Sequence, residues 1–161
     1  MVVVCDSSPV VALATVDKLG LLDALFHEVV IPRRVFEELT VPDKPEAEKI
    51  RVWAQAKVVA QAANSPLVRT LNMLLDAGES EAMALYWERK ASYLLIDEKR
   101  GRRIAAQNEV RVVGTFGILL MSKQRGLIAT VKPVMDLLRC SAIRFSDKLY
   151  HAILELAGEQ V

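Results

Sequence analysis

Cysteine and histidine are scarce in this chain of 161 residues, with two of each. Cys5 and Cys140 lack C-x-x-C spacing, which argues against a disulfide framework or a metal site and reads as two buried thiols of a cytoplasmic protein. His27 and His151 stand alone and read as packing or surface residues, not metal ligands. Long apolar runs are missing as well. Ser7–Val16 is stopped by Asp17 and Val112–Ser122 by Lys123, short of the roughly 20 residues a membrane span needs. The N-terminus has no positive stretch ahead of Val2-Val3-Val4, so no signal peptide is expected. An excess of one charge is also absent: 21 basic residues face 20 acidic ones, for a net charge of +1. That excludes a histone-like chain, and any nucleic-acid contact must come from a local patch or a metal ion.

Apolar residues are plentiful, at 52% of the chain, and occur throughout its length. A chain of this size buries roughly 68–70% of its unfolded surface and needs no staple to fold. Short β-branched runs alternate with helical stretches. Val2–Cys5 reads as a strand buried on both faces, Glu28–Ile31, Tyr93–Ile96 and Val110–Val113 as further strands, Val58–Ala62 as a weaker one, and Ala142–Phe145 as a short last one. Helices are expected over Val10–Val16, Leu19–Phe26, Pro32 to Val41, Ala47–Lys57, Pro66–Leu75, Glu79–Lys90, Lys99–Gln107, Phe116–Gln124, Lys132–Leu138 and Asp147–Ala157. Ser7-Ser8-Pro9 offers an N-cap and a first-turn proline, and Ser146 caps the last helix. The alternation predicts an α/β fold, one domain over 1–161, with a mainly parallel sheet and a helical extension from about residue 130.

In open parallel sheets, sites form at the carboxyl ends of strands. Asp6 follows Val2–Cys5 and Asp97 follows Tyr93–Ile96, so the two meet in one cleft if those strands are neighbours. Glu79 opens the helix that leads to Asp97, and Glu38 lies late in the helix after the second strand. Each alone has an ordinary reading as a turn, capping or solvated residue. Together they would repel one another unless a hard divalent cation intervened, and oxygen-only ligands suit Mg²⁺ or Mn²⁺. Such a metal activates water toward a phosphodiester. Glu81 on the same helix faces solvent or supports the site.

Asp6-Ser7-Ser8, Glu38-Leu39 after Pro32, and the block Gly78-Glu79, Ala84-Leu85 and Leu94-Leu95-Ile96-Asp97 resemble a PIN domain over Val2 to about Glu159. The closest likeness is a VapC-like branch whose third acid lies in a Gly-Glu motif. The interval of eighteen residues from Glu79 to Asp97, the run Ile96-Asp97-Glu98-Lys99-Arg100-Gly101-Arg102 and Gly114-Thr115 point the same way. The resemblance implies a three-layer α/β/α sandwich and a Mg²⁺- or Mn²⁺-dependent ribonuclease, often a toxin neutralised by an antitoxin protein. It implies Asp6, Glu38, Glu79 and Asp97 as the acidic quartet, with Asp6, Glu79 and Asp97 on the metal, Ser8 orienting Asp6, and Glu98 in support. Two positions depart from the pattern: Leu95 stands where many PIN domains have Thr, and Lys99 where an additional acid often sits.

Lys99, Arg100, Arg102 and Arg103 lie on the helix after Asp97 and read as ligands for RNA phosphates or antitoxin carboxylates. The apolar helices of Val10–Phe26, with Trp53, suggest a homodimer. The rival to a ribonuclease is a catalytically weak PIN-like binding module acting through a protein or RNA partner. A phosphatase using an aspartate nucleophile would want Asp-x-Asp at the first strand, where position 8 is Ser8, and a receiver domain would want paired acids where only Asp6 is present.

Overall fold

The structure, a computed structural model, describes residues 1–160. Its centre is built from the valine-rich runs, whose branched side chains suit a pleated surface packed on both sides. Five strands, β1 (Val2–Cys5), β2 (Glu28–Pro32), β3 (Val58–Ala60), β4 (Tyr93–Leu95) and β5 (Val112–Val113), form one sheet in the order β3-β2-β1-β4-β5. Every pairing is parallel, with Cys5 opposite Leu95 and Leu95 opposite Val113. Alternate residues supply two cores. Val3, Cys5, Val29, Ile31 and Leu95 face one layer of helices, and Val4, Val30 and Leu94 face the other.

The first layer holds α1 (Ser7–Thr15), α2 (Gly20–Leu25), α3 (Arg33–Leu39), α4 (Ala47–Ala54), α8 (Thr115–Gln124), α9 (Lys132–Cys140) and α10 (Asp147–Leu156). The second holds α5 (Pro66–Leu71), α6 (Ala77–Glu88) and α7 (Lys99–Gln107). The result is the expected α/β/α sandwich. Among the described residues no helix is long and apolar enough to cross a membrane.

Three local expectations are corrected. Residues 142–145 form no strand; the Ile143 amide is satisfied locally by Ser141 Oγ, and Ile143 and Phe145 pack onto the core as side chains. Helix α1 starts at Ser7 with Asp6 in the N-cap position, one residue ahead of the expected serine cap. Cys5 is buried, but Cys140, the last residue of α9, is exposed and is not a second buried thiol. The apolar side chains of α1 and α2, among them Val10, Leu13 and Leu22, are buried within the chain. Trp53 is half-buried and donates to Asp23 Oδ2 at 3.1 Å.

Glu81 does not face solvent. It is 4% exposed, and its two oxygens accept the Arg34 amide at 2.9 Å and the Ala62 amide at 3.1 Å. One carboxylate therefore ties α6 to the first turn of α3, whose amides have no partner within the helix, and to the chain leaving β3. Glu81→Ala would leave both donors without that acceptor and should lower unfolding free energy by about 2–4 kcal/mol. Glu81→Gln, which keeps one acceptor oxygen, should lose less. Urea unfolding midpoints check this ranking, and a Glu81→Ala midpoint equal to wild type would contradict it.

Candidate active site

Sheet order decides where the acids meet. β1 lies between β2 and β4, so the chain leaves β1 toward one side and β4 pairs on the other, which opens a crevice at their carboxyl ends. The pairing runs one residue beyond β1: the Asp6 amide donates to the Leu95 carbonyl at 2.9 Å. Asp6 is 4% exposed, and its side chain makes no cap hydrogen bond to α1. Burial pushes its carboxyl up to about 7, with the charges of Glu79, Asp76 and Glu38 adding to the rise and the Ser7 amide opposing it.

Glu79 is 8% exposed at the start of α6. It forms a reciprocal capping box with Asp76: the Glu79 amide donates to Asp76 Oδ1 at 2.8 Å, and the Asp76 amide donates to Glu79 Oε2 at 3.1 Å. Burial raises the Glu79 carboxyl; the Asp76 amide and Arg100 oppose the rise, while the charges of Asp76 and Glu98 add to it. Glycines let these parts approach. A Cβ on Gly101 would lie 2.5 Å from Ile96 Cδ1 and 3.0 Å from Glu79 Oε1. Glu38 is exposed on α3, with Oε2 3.9 Å from where a Cβ on Gly78 would stand.

Asp97 leaves the neighbouring strand and turns toward α8. Its Oδ1 accepts the Thr115 amide at 2.8 Å and its Oδ2 the Thr115 hydroxyl at 2.6 Å. A Cβ on Gly114 would lie 2.7 Å from Asp97 Oδ1 and 2.9 Å from Arg102 Nη1, so the carboxylate and the guanidinium both close over that residue. Arg102 is half-buried and donates to the Ile96 carbonyl at 2.9 Å. Lys99, Arg100 and Arg103 are exposed.

Two supporting assignments come out differently. Ser8 is exposed in the first turn of α1 and makes no hydrogen bond to Asp6; it faces the cavity beside Asp97 instead. Glu98 caps α7 by accepting the Gly101 amide at 2.7 Å, and the Gly101 and Arg100 amides hold its carboxyl below the usual range. Asp76 and Thr115 had no assigned role in the sequence reading. Asp76-x-x-Glu79 is the spacing of a capping box and was the available signal for the first. Gly114-Thr115 belongs to the pattern that carries the resemblance, but nothing local says that Thr115 grips Asp97, which lies 18 residues earlier.

Among the described residues, no three or more His, Cys, Asp or Glu side chains converge as they stand to hold a metal ion. Glu79 is turned back to the Asp76 amide, and Asp97 is turned onto Thr115. The donor chemistry fits a hard divalent cation nonetheless. Asp6 is buried with three acids around it, and a cation would relieve that repulsion.

A five-stranded parallel sheet between two layers of helices is the fold of the PIN class. The profile of one protein family, described as PIN domain, matches residues 2–159, and the chain belongs to that family. Nuclease activity on RNA or DNA, with divalent metals, is general to the class. Comparison with curated proteins finds no match.

The raised Asp6 carboxyl has a consequence for stability. Folded chains hold a proton on Asp6 up to about pH 7 that unfolded chains release near pH 3.8, so its contribution is full below pH 3.8 and is lost as pH rises through 7. The loss is at most about 4 kcal/mol. Without divalent cation, Asp6→Asn should melt above wild type at pH 8, and the gap should close toward pH 4. Equal melting temperatures at both pH values would contradict the burial of this charge.

Proposed function

We propose that the chain is a metal-dependent endoribonuclease of toxin type, in a VapC-like branch whose third acid lies in the Gly78-Glu79 motif. The observation that carries this reading is Asp6: a buried carboxyl at a strand end, next to Glu79, Asp76 and Glu38, with its affinity for protons raised. Asp6, Glu79 and Asp97 would hold Mg²⁺ or Mn²⁺, and Glu38 would position the attacking water. The ion supplies a Lewis acid for the phosphoryl oxygen and lowers the pKa of water.

The chain's own residues do the rest. Asp6 is fixed by its amide on Leu95, so its carboxylate is pre-positioned without a loop to order. Thr115 fixes Asp97, and the Asp76 capping box fixes the start of the helix that carries Glu79. Arg102, held by the Ile96 carbonyl, presents a cation beside Asp97 for a substrate phosphate. Exposed Lys99, Arg100 and Arg103 extend that basic face for RNA or for the carboxylates of a neutralising antitoxin.

A second reading has its own observation. Glu79 and Asp97 are both engaged within the chain, and three acids do not converge, which favours a catalytically weak binding module. Cleavage of a mixed RNA pool under Mg²⁺ and Mn²⁺ titration separates the two. The nuclease reading predicts that Asp97→Asn and Glu79→Gln each lower the rate about a hundredfold or more, because each removes a charge while keeping nearly the same volume. Glu37→Gln, exposed on α3 beside Glu38, should keep the wild-type rate. Wild-type rates in both site variants would refute the quartet, and an inactive wild type that binds RNA or a protein tightly would establish the binding module.

A further inference from the structure

A cavity of about 820 Å³ opens beside Asp97, away from Asp6 and Glu79. Its walls are apolar and aromatic: Phe116 from α8, Ile143 and Phe145 from the segment before α10, and Leu149 from α10. Phe116 and Phe145 meet edge to face with centroids 5.0 Å apart. Phe145 stacks in turn on Tyr150, which is 2% exposed and whose hydroxyl donates to Asp136 at 2.5 Å. The aromatic wall is thus fixed from behind. Lys99 and Arg144 are exposed on its lining and Arg102 is half-buried there, while Asp97 is the one acid among the described residues that line it.

This combination selects its occupant. The cavity pairs an aromatic recess with three cations, and Asp97 and Ser8 are on its lining. Every nucleotide of a strand carries an aromatic plane and one negative charge at fixed spacing. A protein segment would need an acid and an aromatic residue placed together to match. The volume lies within the range of small-molecule sites. Bases inside a duplex are stacked and cannot enter a side pocket, whereas the bases of single strands are splayed and stack on aromatic side chains.

We propose that this cavity is a base subsite for single-stranded RNA: it takes one unpaired nucleobase against Phe116 and Phe145, with Arg102 and Lys99 on the adjoining phosphate. The proposal rests on the ribonuclease reading and names the form of substrate that site accepts. Arg144, exposed on the lining and donating to the Ser141 carbonyl at 2.7 Å, contacts the next phosphate. Gly114 has a part in this, since a side chain there would press on both Asp97 and Arg102.

Fluorescence anisotropy with short labelled RNA strands tests this in EDTA, where binding is read without cleavage. Wild-type protein should bind a single strand about tenfold more tightly than the same sequence as a duplex, and about tenfold more tightly than an abasic strand of equal length. Arg144→Glu and Leu149→Glu lie at exposed positions of the lining, and each should weaken binding several-fold or more with the melting temperature unchanged. Equal affinity for the abasic strand, or wild-type affinity in both variants, would overturn the subsite. If Leu149→Glu leaves RNA affinity alone and instead changes the sedimentation of the chain, the cavity is a protein interface and the proposal falls. Cleavage assayed on the same wild-type protein in Mg²⁺ keeps the two readings apart. Cleavage with cavity-independent binding removes the subsite alone, and cavity-dependent binding without cleavage keeps the subsite and removes the nuclease.

Discussion

The candidate site depends on one backbone hydrogen bond, from the Asp6 amide to the Leu95 carbonyl at 2.9 Å. It carries the β1–β4 pairing one residue past β1 and so puts a carboxylate at the bottom of the crevice while the chain turns into α1. A parallel sheet buried on both faces leaves few places where a charge can stand, and strand ends are the main ones. Asp6 takes such a place at 4% exposure, and the acids of α3 and α6 surround it. The fold thereby holds like charges together that would otherwise separate.

Glu79 and Asp97 are restrained by different devices. Glu79 is held through a capping box, so the hydrogen bonds that start α6 also place a site carboxylate. Asp97 is held by the amide and hydroxyl of Thr115 at the start of α8, where the helix dipole favours its charge. Glu81 lies on the same helix as Glu79 but is consumed by two backbone amides, which separates a structural carboxylate from a candidate functional one two residues away.

Much of this was legible in the sequence. Val2–Cys5 and Tyr93–Ile96 are short, wholly apolar runs each followed by Asp, and that pattern alone placed Asp6 and Asp97 at strand ends. The helix over Lys99–Gln107 has the bounds its charge pattern predicts. What was not legible depends on contacts between distant segments. Glu81 read as a solvated or site-supporting residue because nothing local says that Arg34 and Ala62 bring their amides to it. Ile143 and Phe145 alternate as a strand would, yet the sheet edge they would join is only two residues long, and they became a cavity wall instead. Ser8 had the spacing to reach Asp6 but lies in the first turn of α1 and faces the cavity.

The central claim is that the acids around Asp6 form a cation centre. Electron paramagnetic resonance of Mn²⁺ titrated into the purified chain at pH 8 tests it most directly, since bound ion leaves the free-ion signal. The account predicts loss of free signal with wild-type protein and a large reduction of that loss with Asp6→Asn, while the fold is retained. Mn²⁺ bound equally by wild type and Asp6→Asn, or by neither, would contradict it.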